Sequence, residues 1–196
     1  MTTDPRKNYL MLATRRFAQE GFHGTSLARL AKEAGVSKQA ILHFFGTKER
    51  LYAEVLNALC ERLCADIKIT QTSDPKSHLT AYYARMAASA MNDQQDVQLV
   101  VRALLDSDPE AQIWPLKPYL DRLTGLVMSL PNFAETTRAS ALAEVYRFIG
   151  SVQYIALSLP TVQGIYGEAT RASLVAAIAS SVEREIERLT HCRAID

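Results

Sequence analysis

The segment that decides the fold of this chain is Thr25–Phe45, which reads TSLARLAKEAGVSKQAILHFF. Its first two residues carry hydroxyls that can accept a hydrogen bond from the first turn of a helix. Leucine and alanine then recur at helical spacing. Gly35 suits the end of that helix, because a residue without Cβ tolerates a positive φ. A second cap at Ser37 predicts another short helix that runs to the end of the segment.

The two predicted helices have the arrangement of a helix-turn-helix. Three apolar side chains of the second helix are expected to face the protein interior: Ile41, Phe44 and Phe45. Its polar side chains would then face outward: Lys38, Gln39 and His43. A helix that presents polar and basic groups at its start fits the major groove of DNA. The alternative is an ordinary capped helical hairpin with no role in nucleic-acid binding.

The charge distribution favours the nucleic-acid interpretation. Residues 1–50 contain nine lysines and arginines against four acidic residues, whereas the rest of the chain contains thirteen against seventeen. The net charge of the whole chain is only +1. A basic first quarter on a mildly acidic body is the pattern of a DNA-reading part joined to a part that does not touch DNA. Chance clustering of charges is the alternative.

The first 55 residues resemble the DNA-binding signature of TetR-type transcriptional regulators. The resemblance is carried by Gly35-Val36-Ser37-Lys38, by Ile41 and Phe45, and by Thr47-Lys48-Glu49, with Gly21–Ser26 as the lead-in. It implies an all-α fold of about nine helices. A three-helix helix-turn-helix domain over residues 1–47 would be followed by a helical effector-binding and dimerisation domain over residues 48–196.

The resemblance also implies which residues touch DNA. Four would contact phosphates: Thr25, Ser37, His43 and Lys48. Three would lie near base edges: Lys38, Gln39 and Ala40. Two positions depart from the family pattern, because Leu42 has no hydroxyl for a phosphate and Phe44 cannot donate a hydrogen bond. These two departures support the alternative of a helical protein-interaction module whose helix-turn-helix does not bind DNA.

Helical periodicity and breakers predict the remaining elements. Helices are expected at about 5–20, 48–67, 77–91, 94–106, 116–130, 134–159 and 167–190. Pro160 is expected to end the helix that precedes it. A loop over residues 70–77 and an irregular or short helical crossing over residues 109–118 would separate the others. No segment has the pattern of a strand.

A single helix-turn-helix reads only a few base pairs, so a partner subunit is expected, with half-sites roughly 34 Å apart. The helices at about 134–159 and 167–190 are the candidates for a homodimer interface. The alternative is that both are core helices of one protomer. A small-molecule effector is expected in an apolar pocket lined by aromatic and sulfur-containing residues: Tyr82, Met86, Trp114, Tyr119, Tyr146 and Tyr154. The alternative for each of them is core packing.

The sequence therefore predicts a ligand-responsive transcriptional regulator, with a repressor released from a palindromic operator by a small molecule as the leading hypothesis. Double-stranded DNA, an effector and a second copy are the expected partners, and no cofactor is expected. An enzyme of the helical carboxylate–metal type needs paired Glu-x-x-His motifs. Only Glu20 and His23 have that spacing, so no catalytic or metal-ligating residue is assigned.

Composition and cysteine content indicate the cellular compartment in which the protein is expected. The chain has no apolar run long enough to cross a bilayer, and its first residues lack the apolar core of a secretion signal. Three cysteines, Cys60, Cys64 and Cys192, do not form a disulfide framework and suit a reducing compartment. A cytoplasmic protein without membrane association is expected. Cys60 and Cys64 are interpreted as small buried apolar residues, with a thiol sensor as the alternative.

Overall fold

The computed structural model describes residues 4–105, 115–133 and 135–191. These ranges contain nine α-helices, one short 3-10 turn at Pro131–Phe133 and no strand, which confirms the predicted all-α class. The helices are α1 (Pro5–Gly24), α2 (Leu27–Glu33), α3 (Lys38–Phe45), α4 (Lys48–Ile69), α5 (Pro75–Asn92), α6 (Gln95–Leu105), α7 (Lys117–Met128), α8 (Arg138–Tyr166) and α9 (Glu168–His191). None of the helices so described has the length and apolar character needed to cross a membrane.

The caps of α2 and α3 form largely as the sequence predicts. The Ser26 hydroxyl accepts a hydrogen bond from the Arg29 amide, and the Ser37 hydroxyl accepts one from the Ala40 amide at 3.2 Å. Thr25 does not cap α2. Its hydroxyl instead donates to the Gly21 carbonyl at 2.8 Å. Gly35 has φ of +70°, a value at which any side chain would be strained, and it turns the chain from α2 into α3.

Contacts divide the described chain into two compact units. The first takes residues between Met1 and Glu61 and between Gln95 and Leu116, and the second takes residues between Arg62 and Gln94 and from Lys117 onward. Helix α6 therefore belongs to the first unit together with the helix-turn-helix. Helix α4 contributes its first two-thirds to one unit and its end to the other.

Helix α1 contains a break at Gly21, where φ is +71° and ψ is −179°. The sequence places the end of the helix at this glycine, but helical geometry resumes for one further turn to Gly24. A helix end leaves backbone carbonyls without partners. In the first unit Arg102 of α6 reaches two carbonyls that lie just before the break. Its guanidinium donates to the Ala18 carbonyl at 2.8 Å and to the Gln19 carbonyl at 2.5 Å.

The prediction that Pro160 ends its helix is wrong, since α8 continues through it to Tyr166. A proline has no N–H to donate to the carbonyl four residues earlier, which here belongs to Ala156. The Gln94 side chain supplies the missing donor, because its Nε2 donates to the Ala156 carbonyl at 2.6 Å. Ala156 is fully buried, so water has little access to its carbonyl while the Gln94 side chain covers it. The helix ends six residues later, before Gly167 with φ of +85°.

This arrangement predicts an interaction between two substitutions. Gln94→Ala leaves a buried carbonyl without a donor and should lower the free energy of unfolding by about 1–3 kcal/mol. Pro160→Ala restores the backbone donor, so in that background Gln94→Ala should cost much less. Urea denaturation of the four variants of a double-mutant cycle measures this coupling. Additive losses would show that Gln94 does not substitute for the missing amide.

Other helix boundaries differ by a few residues. Helix α5 begins at Pro75, two residues before the predicted start, because Asp74 caps it and its carboxylate accepts hydrogen bonds from the amide and the hydroxyl of Ser77. Those bonds lower the pKa of Asp74 below its ordinary value. The predicted crossing at 109–118 lies mostly outside the described residues.

Candidate functional site

Helix α3 presents a polar surface at its N-terminal half. Ser37, Lys38, Gln39 and His43 are exposed, whereas Ile41 and Phe45 on the other side of the helix are almost fully buried. Ala40 lies between these two sides and is partly buried. We call the exposed side the recognition surface and define it by Ser37, Lys38, Gln39, Ala40 and His43. Because the buried side anchors α3, the surface has a fixed orientation within the first unit.

Two of the residues predicted to contact phosphates, Thr25 and Lys48, are less exposed than the rest. Thr25 is only 2% exposed, and its hydroxyl already donates to a backbone carbonyl. The Lys48 ammonium lies 4.6 Å from the centroid of the Phe22 ring, a cation–π distance. Lys48 is partly buried at the start of α4. The structure thus brings five of the seven predicted DNA-binding residues together on the recognition surface. The DNA contacts of Thr25 and Lys48 stay predictions.

The expectation that Phe44 faces the interior is wrong, because its side chain is 39% exposed. One edge of the ring is held by Tyr9 of α1, with ring centroids 5.4 Å apart, and His43 lies 5.7 Å away. Sequence reasoning grouped Phe44 with its apolar neighbours. The signal it overlooked is that Phe44 is seven residues after the exposed cap Ser37, which places both on the same side of a helix.

An ion-pair network joins α1 to α2. The Arg16 guanidinium donates to Glu33 at 2.8 Å and to Glu20 at 2.9 Å, and Arg29 reaches Glu20 at 3.3 Å. The hydrogen bond to Glu33, followed by the one to Glu20, raises the pKa of Arg16 above its ordinary value. The network thus pairs both Glu20 and Glu33 with cations of the same unit.

Three of the predicted effector-binding residues come together in the second unit. The Tyr82 hydroxyl donates to the Tyr119 hydroxyl at 2.9 Å, and the Tyr119 hydroxyl lies 3.8 Å from the sulfur of Met86. Burial raises the pKa of Tyr82 above its ordinary value, so it stays a neutral donor. Tyr146 and Tyr154 do not join this cluster, since they are 45% and 77% exposed on α8. Trp114 lies outside the described residues.

A cavity of about 620 Å³ opens within the second unit between α5, α8 and α9. Its apolar lining consists of Tyr83, Phe133, Ala143, Phe148, Ile155, Ile178, Ile186 and Leu189. Its polar lining consists of Ser140, Glu144, Arg147, Ser151, Ser181, Glu185 and Arg188. Of the predicted effector-binding residues that the structure describes, none lines this cavity. Sequence reasoning selected aromatic residues of α8 by type, whereas the rotation of the helix decides which of them face inward.

The described residues do not suggest a metal centre. No three histidine, cysteine, aspartate or glutamate side chains lie close enough together within these ranges to hold an ion. Glu20, one member of the single Glu-x-x-His spacing, is engaged by Arg16 and Arg29. Cys60 and Cys64 are buried one turn apart on α4. Cys192 lies outside the described residues.

Comparison with known proteins shows which family the helix-turn-helix region is similar to. The model of the family described as bacterial regulatory proteins, tetR family, matches residues 10–55. The HTH-type transcriptional regulator RutR of Escherichia coli (strain K12) is 26% identical over 170 residues, which are 85% of this chain and 80% of RutR. The match covers the recognition surface and extends well beyond it.

Solved structures share the fold over nearly the whole chain. A transcriptional regulator from Rhodococcus sp. RHA1 has a TM-score of 0.71 at 17% identity and covers 99% of this chain and 100% of its own. The transcriptional regulator FadR from Bacillus subtilis, solved in complex with stearoyl-CoA, has a TM-score of 0.66 at 18% identity and covers 97% and 99%. The solved structures show the shared fold, and the tetR-family match over residues 10–55, the RutR relative and the exposed, anchored α3 support a TetR-type helix-turn-helix DNA-binding transcriptional regulator.

Proposed function

We propose that this protein is a dimeric repressor whose two α3 helices read the half-sites of a palindromic operator, and that a small molecule releases it. The observation that supports this most is the recognition surface itself. Its polar side chains Lys38 and Gln39 are exposed at the N-terminal end of α3, the part of a recognition helix that contacts base edges. The apolar side of the same helix is buried, so the surface enters the groove without a change of fold.

The roles of individual residues follow from their chemistry. Lys38 and Gln39 are long polar side chains able to reach base edges, and glutamine pairs well with adenine. Ala40 is small and allows close approach to the groove floor. Ser37 and His43 flank them and suit phosphate oxygens, as do Thr25 and Lys48. In this proposal the DNA-binding domain is residues 1–47, and residues 48–196 bind the effector and the second subunit.

The dimer interface is proposed on α8 and α9. Both helices carry exposed apolar or small side chains on their outer faces, including Tyr154 and Ile165 on α8 and Ala172 and Ala176 on α9. Small residues let helices from two subunits approach closely, and a two-fold axis repeats the same surface on both copies. An effector that binds better when the two α3 helices are not spaced for the operator then shifts the population off DNA.

A salt titration of DNA binding tests the proposal. The probe is a duplex selected by the protein from a random pool, and binding is followed by fluorescence anisotropy. The logarithm of the affinity should fall steeply with the logarithm of the salt concentration, since phosphate contacts release counterions. Lys48→Ala should weaken binding to all sequences and reduce the slope by about one. Gln39→Ala should instead relax the preference at one base pair at a cost of about 1–3 kcal/mol.

Lys68→Ala serves as the matched control, because Lys68 is exposed on the last turn of α4 in the second unit. It should leave both slope and affinity unchanged. A flat salt dependence of the wild type, or equal effects of Lys48→Ala and Lys68→Ala, would contradict phosphate-dominated binding through the first unit. That outcome would favour the protein-interaction alternative, for which Leu42 and Phe44 are the supporting residues.

A further inference from the structure

We propose that the cavity between α5, α8 and α9 is the effector site and that it takes a neutral aromatic molecule bearing an N–H or O–H donor. The inference rests on the proposed function, because it names the ligand of the proposed regulator. The cavity volume of about 620 Å³ lies within the range of small-molecule sites, which extends over about 300–1,000 Å³. Like such sites, it combines an apolar lining with a few polar groups.

A stacked pair of aromatic rings, Tyr83 and Phe148, favours an aromatic ligand. The rings of Tyr83 and Phe148 stack in parallel, with centroids 3.6 Å apart and an interplanar angle of 5°. Tyr83 is 1% exposed, whereas Phe148 is partly exposed and lines the cavity. Because Tyr83 covers one face of Phe148, the exposed area of that ring is its other face and its edges. An aromatic ligand can stack there or meet an edge.

The hydroxyls of the cavity indicate where a ligand donor would bind. Ser151 donates to the Phe148 carbonyl at 2.8 Å, and Ser181 donates to the Ile178 carbonyl at 2.8 Å. Each serine proton is therefore engaged within its own helix, and the oxygen lone pairs are left to accept. A ligand N–H or O–H matches them. The Tyr83 hydroxyl is buried and has no hydrogen-bond partner among the described residues, a cost of about 1–3 kcal/mol that a polar occupant could relieve.

The charges of the cavity favour a neutral ligand. Arg147 pairs with Glu144 within α8, and Arg188 pairs with Glu185 within α9 at 2.9 Å. Two cations and two anions thus cancel in the lining. With no net charge in the lining, an ionised ligand gains no attraction that would offset the loss of its hydration. A neutral ligand avoids that cost.

A second copy of the chain is not the proposed occupant. The side chains proposed for the dimer interface, Tyr154 and Ile165 on α8 and Ala172 and Ala176 on α9, do not line the cavity. Ala143 does line the cavity and lies about three helical turns before Tyr154, on the same side of α8, so self-association is measured beside ligand binding in the test below.

Two fluorescent probes and one pair of variants test the proposal on the full-length protein. N-phenyl-1-naphthylamine is neutral, aromatic and carries one N–H, and 8-anilinonaphthalene-1-sulfonate is its anionic counterpart. The wild type should bind the neutral probe about tenfold more tightly than the anionic one. Ala143→Trp fills the cavity and should weaken the neutral probe by about tenfold or more. Ala139→Trp is the control, since Ala139 is exposed one turn earlier on α8 and does not line the cavity.

The neutral probe should also lower the affinity for the selected duplex by about fivefold or more in the wild type and in Ala139→Trp but not in Ala143→Trp. Equal probe binding by the two variants, tighter binding of the anionic probe, or unchanged DNA affinity with the neutral probe bound would each overturn the proposal. So would loss of self-association in Ala143→Trp alone, measured by sedimentation. DNA binding without any probe tests the proposed function separately, and probe binding without DNA tests the cavity separately.

Discussion

Lys38→Glu should reduce affinity for the selected duplex by about a hundredfold or more while the folded protein becomes no less stable. Lys38 is the first residue of α3 and is exposed on the recognition surface. A carboxylate there faces phosphates and base-edge acceptors, so attraction is replaced by repulsion. The same carboxylate interacts favourably with the N-terminus of the helix, by about 0.3–1 kcal/mol. The affinity for DNA is therefore expected to fall, whereas the free energy of unfolding should stay the same or rise.

Anisotropy titrations and thermal unfolding of the same preparations measure the two effects. Lys76→Glu is the matched control, because Lys76 lies in the first turn of α5, another capped helix, and belongs to the second unit. It should leave DNA binding intact, and it should be less favourable for stability than Lys38→Glu, because the new carboxylate also repels the Asp74 cap. If Lys38→Glu kept the affinity of the wild type, α3 would not be the reading element.

Arg102→Ala is expected to have the second large effect, on the end of α1. The side chain donates charge-assisted hydrogen bonds to the carbonyls of Ala18 and Gln19, which lie just before the Gly21 break. Its removal should destabilise this turn by about 1.5–3 kcal/mol. Native-state hydrogen exchange measures this locally, as faster exchange of the amides of residues 22–25.

Arg85→Ala provides the comparison for Arg102→Ala. Arg85 is also exposed, but it pairs with a carboxylate, that of Asp66, at 2.8 Å in the second unit. Exposed ion pairs of this kind contribute about 0–1 kcal/mol. Equal effects of the two substitutions on exchange near residues 22–25 would show that Arg102 does not act as the cap of α1.

The helix-turn-helix could be predicted because its determinants are local. Ser26 and Ser37 cap the two helices, and Gly35 provides the positive φ between them, all within twelve residues of sequence. The same local reasoning misplaced Phe44, since an apolar residue type does not by itself determine the side of the helix on which it lies. Its contact with Tyr9 of α1 depends on tertiary packing.

The features that escaped prediction are long-range. The donor that lets α8 pass Pro160 comes from Gln94, and the cap of α1 comes from Arg102 on α6. Neither partner has a sequence signature, because a glutamine between two helices or an arginine on a helix usually faces solvent. The lining of the cavity could not be predicted from the sequence for a related reason. Periodicity locates α8, but packing against α5 and α9 selects Phe148 over Tyr146 and Tyr154 as its inward-facing aromatic residue.

The bond between Gln94 and Ala156 also restricts the order in which its two determinants can have arisen. A glutamine at position 94 is harmless beside an uninterrupted helix, whereas a proline at position 160 without it leaves a carbonyl stranded in the core. A lineage that acquired the glutamine first would have avoided an unstable intermediate. While the proline is present, the glutamine cannot be lost at little cost, so reversal is expected to begin with the proline.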